Sequence, residues 1–574
     1  MYFLFPVRNH IIFLNQIPLL YFRANRVNIQ TMRVYSDEIY NILFIFTIIS
    51  AVLLPLALPN ELFLDGNPLL GLFCLSFYFY ALYHAPSFKF ASFLGLIFGC
   101  YSTVIANYWL VNFGEFSVWT LGGTTVGYML YNALLAPIIY GFAKIKPRYR
   151  AFLIAAVWAL YEYLKSSGFL GYPWGLIAYP VHTISPLIQF VDITGLWGLS
   201  WFMAFINAVG AEIVSQFFTP QPKNQTILRL RSRPLTPWPS YTLTLAALLV
   251  ISLAYGTVRL ILPINIEKKF EILLIQQNKD PWERGMSTTS ISAARNLTRQ
   301  GINQSLKKNN KRPDLIAWNE TALRYVGQAD LDFFKSTGTY NLIGVPLTIS
   351  TDPFQAYNAS LLLSPDAVPL CFYAKQHPVP FAESIPFWEI PLVRVFFREV
   401  IGISSFWVLG SEYTVYDLPL DRVSQIRFGT PICFEDVFPD LCRNFFLKGA
   451  DVIINMSNDS WSKTNSALTQ HIAAAKFRAV ENRRTLIRAT NAGLTCVVGA
   501  KGEILASIPI FRQDYLLTEV PVYKENDYTP YTLLGDYFAF ALALILLFIL
   551  VENSFRFSLL NFLMRMGKRP KLKR

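Results

Sequence analysis

Charge is scarce in this 574-residue chain: Asp, Glu, Lys and Arg together make up 15% of it. A water-soluble domain usually carries about a quarter charged residues, so the balance argues against a wholly soluble protein. Cysteine is scarce as well. The six (Cys74, Cys100, Cys371, Cys433, Cys442 and Cys496) form no CxxC pair and no regular framework, which excludes a zinc-ribbon pattern and a disulfide scaffold. Five scattered histidines offer no His-based metal site, and neither a repeat nor a low-complexity tract is present. No metal and no cofactor is expected. The net charge of +13 suggests nucleic acid at first sight. The basic residues instead cluster beside apolar segments, where they act as topology signals, so no nucleic-acid partner is expected.

Apolar residues are abundant, at 53% of the chain, and mean hydropathy is +0.35. Roughly 20 apolar residues cross a bilayer as a helix. Seven candidate runs lie near 40–58, 69–84, 91–113, 118–143, 151–165, 187–217 and 241–263, and an eighth near 533–551. The fifth is short and ends with Glu162 and Lys165. Between the seventh and eighth lies a long stretch of ordinary polarity, which reads as one water-soluble domain. The expected organisation is therefore a cytoplasmic extension (1–39), a seven-helix membrane domain (40–263), an extracytoplasmic domain (264–530), a last membrane helix (531–552) and a basic tail (553–574).

The loop charges set the orientation. Arg8, Arg23, Arg26 and Arg33 precede the first run, KIKPRYR joins the fourth to the fifth, Lys223, Arg229, Arg231 and Arg233 precede the seventh, and the C-terminus ends MRMGKRPKLKR. The alternate loops near 60–67 and 114–117 hold Glu61, Asp65 and Glu115 without Lys or Arg. Positive residues stay inside, so both termini are expected in the cytoplasm and the large domain outside. Seven crossings before the domain and one after it agree. Residues 2–21 are apolar but broken by Arg8, Asn9, His10 and two prolines, resembling neither a signal peptide nor a span. Met32 is the more natural start, and residues 1–31 are expected to be dispensable.

Within the large domain, strand-like and helix-like segments alternate. FEILLIQQN, DLIAWNE, NLIGVPLTIS, ASLLLSP, RFGTPIC and DVIINMSN read as strands, FPDLCRNFFLKGA and 468–484 as helices, and TLIRATNAGLTCVVGAKGEILAS as three strands. Such alternation predicts an α/β sandwich. Three ionisable residues each follow an apolar strand-like run: Glu320, Lys375 and Cys433. Strand ends converge on one site in α/β folds. A thiol attacks as thiolate, a lysine stabilises a developing oxyanion, and a carboxylate takes a proton. Read singly, Glu320 also serves as a helix cap, Lys375 as a solvated side chain and Cys433 as a buried thiol.

Together, Glu320, Lys375 and Cys433, in DLIAWNETAL, KQHPVPFAESIPF and TPICFEDVF, resemble the catalytic triad of the nitrilase superfamily. Added to the flanking spans, and with NMSNDSWSKTNSALTQHIAAAKFRAVENRR, RATNAGLT, GFLGYPWGLIAY and TPYTLLGD, the pattern resembles the apolipoprotein N-acyltransferase family from about residue 40 to 551. The resemblance implies a helical membrane domain of about eight spans plus a nitrilase-like αββα sandwich, set in the inner membrane of a bacterium with the sandwich on the periplasmic side. It implies transfer of an acyl chain from a phospholipid, through a Cys433 thioester, to the α-amino group of a diacylglyceryl-cysteine apolipoprotein. Glu320 would be the base and Lys375 the oxyanion partner. Glu383 and Glu435 match supporting carboxylates, with a structural role equally open. Trp282 and Trp461 match positions at the site's mouth, where an aromatic is also an ordinary interfacial anchor. Phe434 departs from the tyrosine expected after the nucleophile, and FAE at 381–383 from the usual FGE. Asp436 is given no role. A membrane-tethered amidase shares the triad, although the other motifs and the span count favour transfer. A transporter or receptor fits less well, because ionisable residues stay near the span ends.

Overall fold

The computed structural model describes residues 37–114, 117–218, 238–280, 286–380, 383–385, 387–401, 407–420, 424–523 and 528–566. Trp282, nearly all of the 1–39 extension, the basic loop holding Lys223, Arg229, Arg231 and Arg233, and the end of the tail lie outside these residues.

The first part is helical: α1 (Asp37–Ala57), α2 (Ser76–His84), α3 (Phe88–Ala106), α4 (Thr124–Ile145), α5 (Arg150–Lys165), α6 (Val191–Phe217) and α7 (Trp238–Ile261). Among the described residues six helices are long and apolar enough to cross a bilayer, where the sequence suggested eight. They are five of these seven, the one around α4 running Val118–Ile145, and a C-terminal helix, Tyr537–Arg556. The runs at 69–84 and 151–165 are helical but short. Pro68 opens a separate four-residue helix, Pro68–Gly71, a turn then delays α2 to Ser76 and Pro86 follows its end, leaving α2 nine residues long. Helix α5 has 16 residues, about 24 Å at 1.5 Å per residue. Glycine sets the closest approach in the bundle. A Cβ on Gly95 would lie 2.1 Å from the Asn132 carbonyl oxygen, and one on Gly99 2.4 Å from that of Tyr128. This small-xxx-small pair lets α3 and α4 touch backbone to backbone, which fixes where the Tyr128 ring stands.

The second part is a two-sheet sandwich. One sheet runs β13-β1-β2-β3-β4-β5, with β6 (Trp407–Val408) against β4, and the other runs β12-β11-β10-β9-β8-β7. The strands of the first are β1 (Ile266–Gln276), β2 (Leu315–Ala317), β3 (Tyr340–Thr351), β4 (Phe354–Leu363), β5 (Pro369–Ala374) and β13 (Asp514–Tyr523). Those of the second are β7 (Val415–Pro419), β8 (Gln425–Gly429), β9 (Val452–Ser457), β10 (Thr485–Thr490), β11 (Cys496–Val498) and β12 (Ile504–Ser507). The two-residue side-chain period is plain in β1. Ile272 and Leu274 face the core shared by both sheets, while Leu273 and Ile275 pack under α8 (Met286–Asn309) and α9 (Gln328–Thr337). The second sheet carries α10 (Pro439–Leu447), α11 (Asn465–Ala475) and α12 (Phe477–Asn482), and every residue of β9 and β10 is buried. The helix expected over 468–484 is thus two helices meeting at Lys476, and it starts earlier, where the Thr464 hydroxyl caps α11. One apolar core runs from the membrane helices into the sandwich without a break.

Candidate active site

Four strand ends supply the site. Glu320 stands three residues past β2, Lys375 directly past β5, Cys433 four residues past β8, and Asn458 directly past β9. The sequence pattern predicted a strand reaching Cys433, but β8 stops at Gly429. Pro431 has no N–H and interrupts the ladder, although its carbonyl accepts from the Met456 N–H at 3.2 Å. A single parallel bridge pairs Ile432 with Met456, and the chain then turns into a short 3-10 helix, Cys433–Val437. Cys433 itself has φ of 56°, the left-handed region that a non-glycine residue adopts at a cost. Its carbonyl is tied down by the Asn455 amide at 2.7 Å.

Glu320, Lys375 and Glu383 form one buried cluster. The Lys375 ammonium donates to Glu383 at 2.8 Å and to Glu320 at 3.5 Å. Asn358, from the middle of β4, bridges the two carboxylates with its Nδ2, at 2.8 Å from Glu320 and 3.1 Å from Glu383. The other Glu320 oxygen accepts from the Asn458 N–H at 2.9 Å. Burial pushes the Glu320 carboxyl above its ordinary pKa; Lys375 pulls against that and Glu383 adds to it. Burial also opposes the charge on Lys375, but Glu383, Cys433 and Glu320 outweigh it and hold the ammonium firmly protonated. The Cys433 thiol is pushed well up, first by burial and then by Glu320, with Lys375 opposing.

Glu435 has a different task. Its Oε1 accepts from the N–H groups of Gln376 (2.7 Å) and His377 (2.9 Å), and its Oε2 from that of Ile432 (2.7 Å). Tyr373 donates to both oxygens, at 3.0 and 3.1 Å. The carboxylate therefore staples the segment after Lys375 to the segment before Cys433. Burial raises its pKa to about 7 against these hydrogen bonds.

Cys433 opens into a cavity of about 560 Å³ whose walls come from both parts of the chain. Trp109, Phe113, Tyr128 and Trp174 form the membrane side, and Phe434, Trp461, Val379 and Phe397 the sandwich side. The lining is predominantly apolar, as in small-molecule sites of similar size. Trp461 packs against Phe113 with ring centroids 3.9 Å apart and the planes tilted by 35°. Phe434 contributes an apolar ring, packed edge-on against Phe438 at 5.0 Å, so no hydroxyl is offered at that position.

The sequence pattern missed Asn358, Asn455 and Asn458. It also missed a buried ring of Asp436, Asp459, His471 and Arg488 beneath the Cys433 turn. One signal was available: Asn358 interrupts the apolar strand AYNASLLL at an inward-facing position.

Residues 50–209 match the N-terminal domain of apolipoprotein N-acyltransferase, and residues 334–525 match the carbon-nitrogen hydrolase family. Apolipoprotein N-acyltransferase 2 of Treponema denticola is 36% identical over 520 residues, covering 88% of this chain and 96% of that protein. The Borreliella burgdorferi apolipoprotein N-acyltransferase is 30% identical over 531 residues, covering 90% and 96%. Among solved structures, a carbon-nitrogen hydrolase from Helicobacter pylori covers 44% of this chain and 89% of its own, at 17% identity and a TM-score of 0.32. With both halves matched and these relatives aligned almost end to end, the chain belongs to the apolipoprotein N-acyltransferase family.

Proposed function

We propose that this enzyme moves an acyl chain from a phospholipid to the α-amino group of a diacylglyceryl-cysteine apolipoprotein through a thioester on Cys433. One observation carries the reading. The thiol stands where the charged Glu320–Lys375 cluster meets an apolar cavity built jointly by membrane helices and sandwich. A small polar amide would leave most of that cavity empty, whereas an acyl chain fills it.

In the first half-reaction, Glu320 takes the thiol proton as Sγ bonds to the ester carbonyl carbon. The tetrahedral oxyanion is stabilised by the Lys375 ammonium. The carbon–oxygen bond to glycerol breaks, the proton passes from Glu320 to the leaving oxygen, and lysophospholipid departs. In the second, the acceptor amine attacks the thioester and Glu320 takes a proton from nitrogen. The carbon–sulfur bond then breaks, and the thiol recovers its proton. The covalent intermediate divides one difficult transfer into two easier ones. Glu383 and Asn358 orient Glu320 and Lys375, while Glu435 fixes the two segments that carry Lys375 and Cys433. The loop charges of the sequence support placing the sandwich on the periplasmic face of the inner membrane.

The test is direct. The purified protein, phospholipid and a diacylglyceryl-cysteine peptide are incubated and the peptide is weighed by mass spectrometry. A gain of one acyl mass is expected. A Cys433 thioester that forms but never passes to the amine would refute the transfer.

A further inference from the structure

Four buried side chains beside the nucleophile take no part in these steps. Asp436, three residues after Cys433, accepts from His471 Nε2 at 2.8 Å and from the Arg488 guanidinium. Asp459, two residues after β9, accepts from His471 Nδ1 at 3.1 Å, from Ser457 at 2.5 Å and from Arg488 at 3.3 Å. The ring is closed: each carboxylate bridges the histidine and the arginine. None of the four is more than 4% exposed.

A neutral imidazole has one N–H and one lone pair. Here both ring nitrogens face carboxylate oxygens, so a neutral ring would aim a lone pair at an anion where no water intervenes. Only the doubly protonated imidazolium satisfies both contacts. It also balances the charge, two carboxylates against one guanidinium and one imidazolium. Burial and Arg488 oppose that proton, but Asp459 and Asp436 outweigh them and raise the His471 pKa above its ordinary value.

The neighbouring residue gives the ring its reach. Gln470 uses all four of its hydrogen bonds on the membrane part. Its Oε1 accepts from the indoles of Trp109 (3.1 Å) and Trp174 (2.7 Å), and its Nε2 donates to the carbonyls of Pro59 (2.8 Å) and Ala106 (3.3 Å). Helix α11 thus holds the cavity's membrane wall through Gln470 and the catalytic turns through His471.

We propose that His471 is a positioning residue for acyl transfer. As an imidazolium it clamps the Cys433 turn, through Asp436, and the Asn458–Trp461 turn, through Asp459, onto α11. Nucleophile, Glu320 anchor and cavity wall are thereby kept in one register. The assignment rests on Cys433 as the nucleophile, and His471 itself touches no reacting atom. A raised histidine pKa means that the folded state holds the proton more tightly than the unfolded chain. The clamp is therefore complete below the ordinary value of about 6.5 and is lost as pH rises through the folded one.

The chain has only five histidines, so 15N-histidine labelling of the full-length protein in nanodiscs separates them, with His471→Gln making the assignment. In a pH titration one imidazole should keep protons on both nitrogens above the ordinary pKa of about 6.5, and that signal should vanish in the variant. A His471 that loses its second proton at or below about 6.5 overturns the proposal, and substituting the other four histidines in turn assigns the signal if the His471 variant does not assemble. In the second arm, thioester formation on Cys433 is followed with phosphatidylethanolamine micelles. His471→Gln should lower kcat by about tenfold to a hundredfold with KM for the lipid little changed. A wild-type kcat in the variant refutes the clamp. Should the wild-type protein form no Cys433 thioester, the proposed reaction falls, while the imidazolium signal still decides the charge state of His471.

Discussion

Removing Asn358 tests the site at a residue that carries no charge and touches no substrate. Its single amide nitrogen holds Glu320 at 2.8 Å and Glu383 at 3.1 Å, keeping two like-charged groups beside one ammonium. A hydrogen bond to a charged group contributes about 1.5–3 kcal/mol. Water does not replace it, because Glu320 is 6% exposed. Glu320 retains Lys375 and the Asn458 N–H, so the loss from Asn358→Ala is set at one such bond rather than two. At 1.36 kcal/mol per factor of ten, that is a fall of roughly tenfold to 150-fold in the rate of thioester formation. Asn358→Asp keeps the shape and adds a third carboxylate, which pushes the Glu320 pKa further up and scatters the cluster. It should be the slower of the two variants, although it is the more conservative in volume. The assay is the burst of acyl-Cys433 seen by intact-protein mass spectrometry after mixing with phospholipid. Asn358→Ala at the wild-type rate, or Asn358→Asp faster than Asn358→Ala, would refute the argument that this amide aligns the base.

Lys375→Arg should reduce thioester formation by at least about a hundredfold, the usual cost of a lost oxyanion donor, since a planar guanidinium does not reproduce a compact ammonium; near-normal kinetics would remove Lys375 from the mechanism. Glu435→Gln turns an all-acceptor group into one that aims N–H bonds at the N–H groups of Ile432, Gln376 or His377. It should lower stability by about 1–3 kcal/mol, read as a drop in Tm, and an unchanged Tm would contradict the staple. For pH, a raised Glu320 pKa places the acid limb of kcat/KM for phospholipid above the ordinary carboxylate value. Activity should rise with pH as Glu320 loses its proton, and an acid limb at or below about 4.3 would show that another group is the base.

The parts of this architecture that were legible in the sequence are those written in local periodicity. Long apolar runs marked the bundle, and Glu320, Lys375 and Cys433 each stood out as a polar residue closing an apolar run. Where the period continued but the geometry changed, the reading failed. RFGTPIC looks like one unbroken strand through to its cysteine, yet the pairing with β9 lapses at Thr430 and Pro431, which has no N–H to give, and returns only as a single bridge from Ile432 to Met456. The run at 69–84 is apolar enough for a span, but a turn at 72–75 divides it, leaving a nine-residue helix. The rest of the site depends on pairings across hundreds of residues. Glu61 reaches the N–H of Ser466 at 2.9 Å, and Trp109 meets Gln470, contacts no local pattern announces. Asp436 was equally opaque, because its partners come from α11 and β10.

Charge conservation explains how a thiol so poorly disposed to ionise can still serve as the proposed nucleophile. With Glu320 and Glu383 ionised and Lys375 protonated, the cluster carries one net negative charge. A preformed thiolate would make it two, beside an apolar cavity that cannot solvate either, and the raised pKa of Cys433 expresses that penalty. Moving the proton from Cys433 to Glu320 adds no charge at all. The same burial that makes the thiol a weak acid makes Glu320 a stronger base, so the two shifts offset each other in the transfer that matters. As the ester is attacked, negative charge leaves sulfur for the carbonyl oxygen, toward an ammonium that burial has not neutralised. In the proposed reaction the apolar wall thus keeps the resting thiol unreactive, and the cluster opens a route to its reaction only when an acyl ester is present to receive the charge.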